Sequence, residues 1–356
     1  MRWMQEKGLS CRTPSPYDEE AGRARHRWAN RTKPPGSLGI LEDAAVQLAA
    51  ISGRCPPEIR RPAVVVAGAD HGVVAEGVSA FPADVTRQMM LNFAAGGAAI
   101  SVLARRRQAD IRIVDAGVTR PPDHPDIIDC RAGAGTANMT RGAAMTREQL
   151  AHVLDGGAEL AGALVREGTD IIALGEMGIG NTTAASAVSA VLSGRPPLQL
   201  TGPGAGLDDA GVKHKAEVIS RALAVNRPDA GDPLDVLRKV GGFEIAFLTG
   251  VILAAVHNRL PVVIDGFICS SAALCASRMM SGLTSYLLAG HRSAEPGHDV
   301  LLDMLDLQPL LDLQMRLGEG TGAAVSLTLI EDAVALLAGM ASFSGAGVSE
   351  SGGGES

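Results

Sequence analysis

DIIALGEMGIGNTTAASAV, residues 170–188, changes character twice within nineteen positions. After Asp170 comes a short apolar run, Ile171-Ile172-Ala173-Leu174. A glycine-broken loop, Gly175 to Gly180, follows it, and Thr183–Leu192 then carries helical spacing. A brief, almost uninterrupted apolar run closed by glycine suits a strand buried on both faces. A strand that passes through a tight loop straight into a helix is the repeating unit of a parallel α/β sheet.

The pattern recurs. Ala63–Ala67, Ile111–Asp115 and Pro261–Asp265 are runs of the same kind, each ending in a charged or glycine turn. Helical spacing occupies Val85–Ala95, Arg147–Arg166, Val212–Ala224 and Phe243–Val256. The expected fold is α/β, a mostly parallel, Rossmann-like sheet with flanking helices and right-handed crossovers. Helical segments near the two ends, about 17–52 and 299–341, are expected to pack together as a small helical domain. The expected division is 1–55 with 299–343 for that domain and 56–298 for the large α/β domain. Residues 1–20 are expected to fray, and the Gly/Ser-rich tail 344–356 to be disordered.

Composition narrows the function classes. Among 356 residues there are 32 Lys and Arg against 39 Asp and Glu, a formal charge of −7, and only 3% are aromatic. Without a basic footprint or a stacking platform, nucleic acid is not an expected partner. Five scattered cysteines with no C-x-x-C pair argue against a zinc site or a disulfide framework and for a reducing, cytoplasmic setting. The longest apolar stretch, Ile245–Val256, is too short to span a bilayer, so no membrane partner is expected.

In a parallel sheet, ligands sit beyond the carboxyl ends of the strands. The unusual loops fall there: Asp70-His71-Gly72, Asp115-Ala116-Gly117, Gly175-Glu176 and Asp265-Gly266. In GEMGIGNTT, Gly178 and Gly180 allow close backbone approach, and Asn181, Thr182 and Thr183 can cap the following helix. Backbone donors at a helix start can hold a phosphate without the lysine of a Walker A loop, which is missing. An ordinary capped strand-to-helix turn has the same residues. Glu176 would repel a phosphate, so it points to a cation or a hydroxyl farther along a ligand.

RLGEGTGAA (316–324) places a second carboxylate, Glu319, between two glycines before the apolar helix Ala323–Leu337. A glutamate is favoured at a helix start by the macrodipole alone. Equally, flanking glycines open the side chain to a cleft, where Met315 and Leu317 would raise its pKa towards that of a general base. GPGAGLDDAGVKHKAEVI (202–219) leads into a helix with Lys215 near its start, either a phosphate ligand or a solvated surface residue. Asp70, His71, His291 and His298 match no familiar metal-ligand spacing, so no metal is expected.

Taken together, TKPPGSLGILE, AGADHGVVAEGVS, GTANMTRGAAMT, LGEMGIGNTTAAS, GPGAGLDDAGVKHK, HRSAEPGH and LDLQMRLGEGTGAA resemble, in order over about residues 32–340, the nicotinate-nucleotide:dimethylbenzimidazole phosphoribosyltransferases. These make the lower-ligand nucleotide of cobalamin. The resemblance implies a homodimer, no cofactor, and nicotinate mononucleotide and dimethylbenzimidazole as substrates. It implies Glu319 as catalytic base, Glu176 as a second catalytic and binding carboxylate, and Gly178, Gly180, Asn181, Thr182, Lys215, Asp265 and Ser293 around the mononucleotide. Ser79, Gln88, Met177 and Leu317 are the residues it suggests for the benzimidazole. Three other readings stay open: another acceptor such as adenine or a phenol, a non-catalytic nucleotide sensor, and a metal-dependent hydrolase built on the Asp70, His71, His291 and His298 loops.

Overall fold

Six strands form one sheet: β1 (Pro62–Ala69), β2 (Asp110–Gly117), β3 (Ile127–Asp129), β4 (Ile171–Met177), β5 (Val262–Ile264) and β6 (Leu287–Ala289). Their order is β3-β2-β1-β4-β5-β6, every neighbouring pair parallel. This is the strand order of a dinucleotide-type doubly wound sheet, whose ligands gather past the carboxyl ends. The computed structural model describes residues 13–349. β1 lies at the centre, with all eight residues buried, as its unbroken apolar run requires. Its pairing with β4 sets Ala67 opposite Glu176 and Gly68 opposite Met177. Ile127–Asp129 and Leu287–Ala289, three residues each, are strands that the sequence pattern does not mark.

The helices are α1 (Asp18–Ala29), α2 (Ile40–Ser52), α3 (Asp84–Ala94), α4 (Ala99–Arg107), α5 (Arg147–Arg166), α6 (Asn181–Ser193), α7 (Pro197–Leu200), α8 (Asp209–Asn226), α9 (Pro233–Val240), α10 (Phe243–His257), α11 (Phe267–Met279), α12 (His298–Leu305), α13 (Thr321–Gly339) and α14 (Phe343–Ala346). Alternate β1 side chains divide the core. Val65 and Ala67 join α5, α6, α10 and α11 on one face, while Val64 and Val66 join α2, α3, α4 and α13 on the other. α5 starts where Thr146 and Gln149 form a reciprocal capping box. α10 is buried all round, which accounts for its lack of a polar face.

α13 is nineteen residues long and as apolar as a membrane span. Here it is a core helix, with Ala323, Leu327 and Ile330 against the sheet and Ala333 and Leu337 against Trp28 of α1 and Ala45 and Ala49 of α2. Arg27 and Arg31 donate to the last carbonyls of α13, of Leu337 and Ala338, tying the chain's two ends together. The order extends farther at both ends than the low-complexity reading suggests. Asp18–Glu20 form the first turn of α1, and Ser344–Ala346 belong to α14; residues 1–12 and 350–356 lie outside the described residues.

Candidate active site

Beyond the carboxyl ends of β4, β5 and β6 lies a cleft of about 220 Å³, where a parallel sheet holds its ligands. Two loops of like construction bring its carboxylates together. β4 delivers Glu176, and the chain then enters α6 through Gly180, its N-cap, at φ 91°. The second loop delivers Glu319 and enters α13 through Gly320, its N-cap, at φ 88°. Both left-handed positions favour glycine. The loops meet backbone to backbone, since a Cβ on Gly175 would fall 2.3 Å from the Glu319 carbonyl oxygen.

The carboxylates at this end are buried and mutually repelling. Burial, then the charges of Asp265 and Glu244, push Glu176 up to about 8, against a hydrogen bond that Asn181 Nδ2 donates to Glu176 Oε2. Asp265 caps α13, accepting from the N–H of Ala323 at 2.9 Å and of Gly320 at 3.3 Å. Burial raises it to about 7 in spite of those donors. Glu319 is 6% exposed, and burial and the Asp265 charge lift it to about 7. The Ile100 N–H, in the first turn of α4, pulls it the other way, and its Oε2 is buried with no partner. At neutral pH these acids therefore carry fewer charges than carboxyl groups.

The other end is cationic. Lys215 Nζ donates to Thr182 Oγ1 at 2.6 Å and to the Gly202 carbonyl at 3.3 Å. It is 1% exposed, and burial lowers it to about 8 against the pull of Glu295. Thr182, Gly204, Glu295 and the exposed Arg316 line the cleft here. Arg316 and Glu295 lie within RLGEGTGAA and AGHRSAEPGH, yet the sequence reading singles out neither. The signal for Arg316 was a lone cation beside a glycine loop. Nothing in the sequence marked Glu295.

His71 and His298 prove to be structural partners, while His291 lines the cleft. His298 Nδ1 accepts from the Ser293 N–H at 2.8 Å, which leaves its proton on Nε2 to donate to Ser270 Oγ at 3.0 Å. Burial takes His298 down to about 3, so it is neutral. His71 Nε2 lies 2.9 Å from Glu244 Oε1, both buried, and a Cβ on Gly178 would come within 3.2 Å of that nitrogen. His291 Nε2 stands 3.7 Å from Asp265 Oδ1, and Asp70 accepts from the Thr119 N–H at 2.8 Å. Among the described residues no three His, Cys, Asp or Glu side chains form a metal-holding group.

Of the residues expected at the site, Glu176, Met177, Gly178, Asn181 and Thr182 line the cleft from β4 and α6. Asp265, Ser293, Leu317 and Glu319 line it from the other loops. Gly180 lies behind it as a helix cap, and Lys215 lies behind Thr182. Ser79 and Gln88 are not among the lining residues: the Ser79 hydroxyl accepts from the Phe81 N–H at 3.1 Å, and exposed Gln88 donates to Asp84 at 3.1 Å. From the same helix α3 it is Thr86 that reaches the loop, its hydroxyl accepting from the Ile179 N–H at 3.0 Å.

A family model described as Phosphoribosyltransferase matches residues 14–348. The nicotinate-nucleotide–dimethylbenzimidazole phosphoribosyltransferase of Chloroflexus aggregans is 51% identical over 334 residues, 94% of this chain and 95% of that one. The protein of the same name from Geobacter metallireducens is 49% identical over 92% of this chain and 93% of its own. The crystal structure of CobT from Thermus thermophilus superposes with a TM-score of 0.90 at 47% identity, covering 94% of this chain and all of that one. With sequence and fold agreeing over nearly the whole length, this chain belongs to the nicotinate-nucleotide–dimethylbenzimidazole phosphoribosyltransferase family.

Proposed function

We propose that nicotinate mononucleotide lies along the cleft, its phosphate at the Lys215 end and its pyridinium at the carboxylate end. The chain then transfers the phosphoribosyl group to dimethylbenzimidazole. The observation that carries this reading is the uneven charge of one cleft: Lys215 and Arg316 outnumber Glu295 at the 202–206 glycine loop, whereas Glu176, Asp265 and Glu319 act on one another at the other loops. A phosphate at one tip and a cationic ring at the other match it in sign and order.

The donor's C1′–N bond breaks with its electron pair leaving on the nicotinate nitrogen, so the leaving group departs neutral at that atom and needs no acid. Positive charge grows on the ribose, and Glu176, drawn into its carboxylate form by the cation, stabilises it. A ring nitrogen of dimethylbenzimidazole forms the new bond to C1′ from the opposite face, giving the α-linked nucleotide. The other ring nitrogen loses its proton to Glu319, whose unpartnered Oε2 and pKa of about 7 suit a base at neutral pH. Met177 and Leu317 supply an apolar slot for the acceptor, and holding the rings in line contributes much of the rate. Gly178 and Thr182 with Lys215 take the phosphate; Gly180 and Asn181 fix the loop; Ser293 adds a polar contact. Asp265 acts through the cap that orients Glu319. A contribution of Ser79 and Gln88 to the acceptor side would require both to leave their present partners. The same reading carries a cytoplasmic homodimer whose 1–55 and 299–343 segments work as a helical unit against the α/β body.

The test supplies nicotinate mononucleotide with dimethylbenzimidazole, adenine or a phenol, and follows nicotinate and nucleotide together. Release that depends on the base and is fastest with dimethylbenzimidazole is expected. Donor binding without release for any acceptor would replace the transferase with a sensor.

A further inference from the structure

The glycine loop at the cationic end already holds an anion of the protein's own. Glu295 is 7% exposed, and its Oε1 accepts from the Gly204 N–H at 3.1 Å. Its own N–H donates to Ser293 Oγ at 3.3 Å. Its Oε2 is buried without a partner, pressed against the bare Cα of Gly202, where a Cβ would fall 2.1 Å away. Burial raises its pKa, while the charges of Lys215 and Arg316 and the Gly204 N–H favour its carboxylate form. Lys215 uses its ammonium on Thr182 and Gly202 and forms no direct bond to Glu295.

A carboxylate oxygen buried unpaired is unfavourable. The same carboxylate holds a backbone donor of a glycine-rich turn, Gly202-Pro203-Gly204-Ala205-Gly206, and is acted on by a buried lysine and an arginine. Those are the groups that recognise a phosphate. Two anions cannot share the Gly204 N–H. We propose that Glu295 is a resident anion on the phosphate subsite, which the phosphate of the incoming donor displaces and which returns to Gly204 when product leaves. This rests on the donor orientation given above. In the free protein the carboxylate keeps the 202–206 and 291–298 loops together. It also sets a threshold that a phosphate lacking the ribosyl contacts meets only weakly.

The decisive comparison is Glu295→Gln against wild type, with binding of inorganic phosphate and of nicotinate mononucleotide followed by calorimetry. Gln retains an acceptor for Gly204 and removes the charge. Inorganic phosphate should bind on the order of tenfold tighter to the variant, as expected when a close like charge is removed. The donor should gain by a similar factor, and the effect should appear in Kd and KM with no matching rise in kcat. Unchanged or weaker phosphate binding by a folded variant would make Glu295 a loop staple and overturn the proposal. A crystal structure of wild type with inorganic phosphate covers the case in which the variant does not fold. Phosphate on Gly204 with the carboxylate withdrawn supports displacement, and phosphate bound with the Glu295–Gly204 bond intact refutes it. If wild type transfers phosphoribosyl groups while phosphate affinity ignores residue 295, only this inference falls. If wild type binds neither phosphate nor donor, the transferase reading falls with it.

Discussion

The loops that carry Glu176 and Glu319 are near-copies in construction and differ in what restrains the carboxylate, a side-chain amide in one and the backbone N–H of Ile100 in the other. Each sets a glutamate just ahead of a helix whose N-cap is a left-handed glycine, and each buries that glutamate in the same cleft. Glu176 is fastened from within its own loop by Asn181. Glu319 itself sits at φ 64° and keeps one carboxylate oxygen without a partner. A carboxylate held by a side-chain amide serves as a fixed charge, whereas one with an unpartnered oxygen can receive a proton. The difference is in keeping with the roles proposed above, the electrostatic one for the first and the base for the second.

The largest break in that comparison is Glu319→Gln, which keeps the shape and removes the open oxygen's basicity. Turnover should fall by about 10²–10⁴-fold, the usual contribution of a general base, with donor Kd nearly unchanged. Single-turnover nicotinate release alongside donor titration reads both, and near-normal turnover would transfer the role to another group. Gly175→Ala attacks the contact between the loops instead. The new methyl would sit 2.3 Å from the Glu319 carbonyl oxygen, so the Glu319 loop must move. A displacement of about 1 Å at a reacting group costs roughly 10²-fold. That loss should appear in kcat with the circular dichroism spectrum intact.

How far the sequence reveals this site follows from what local pattern can encode. The four long apolar runs are legible as strands because a central parallel strand must be apolar on both faces, as β1 is. β3 and β6 are three-residue edge pairings fixed by neighbours, whereas the equally short β5 lies inside the sheet within the longer run Pro261–Asp265. Glu176 and Glu319 stand out because glycine flanks them, and glycine reports a backbone requirement within its own segment. Lys215 is legible as a charge near a helix start, but its burial depends on Thr182, 33 positions away. Glu295 and Arg316 take their roles from loops distant in sequence, and no spacing within one segment announces them. The histidines mislead for the complementary reason. Asp70-His71 and the HRSAEPGH stretch look chemical until Glu244 and Ser270 are seen beside His71 and His298.

Asn181→Ala sharpens the comparison by removing the side-chain fastening of Glu176, while Glu319 keeps its backbone donor from Ile100. A hydrogen bond to a charged group contributes about 1.5–3 kcal/mol, and its loss should weaken donor binding by about tenfold or somewhat more. The Asn181 bond also holds the Glu176 pKa down, so its removal moves that pKa further up. Donor KM should therefore recover as pH rises, more steeply than in wild type. A fall in kcat at constant KM would mean instead that the fastened carboxylate shares the proton transfer.

The smallest effect concerns stability, and its sign follows from the raised acids. Glu176 moves from 4.5 to about 8, and Asp265 and Glu319 to about 7 from 3.8 and 4.5. Between the unfolded and folded values the folded protein binds more protons than the unfolded chain. These groups therefore stabilise the fold fully below about pH 4, and that contribution is lost as pH rises through 7 and 8. His298, lowered from 6.5 to about 3, acts in the opposite sense, its contribution being lost as pH falls below 6.5. A bare melting curve mixes the two, so the informative quantity is a difference between variants. Glu176→Gln cannot ionise, so relative to wild type its Tm should be higher at pH 8 by a few degrees and nearly equal at pH 5. Glu319→Gln should show a smaller rise, because its carboxyl is shifted less. Nicotinate mononucleotide should narrow the gap for Glu176→Gln, since its cation stabilises the ionised carboxylate that the variant lacks. Equal melting differences at both pH values would mean that the two glutamates are not distinguished by their burial. The division of labour would then rest on the Asn181 contact alone.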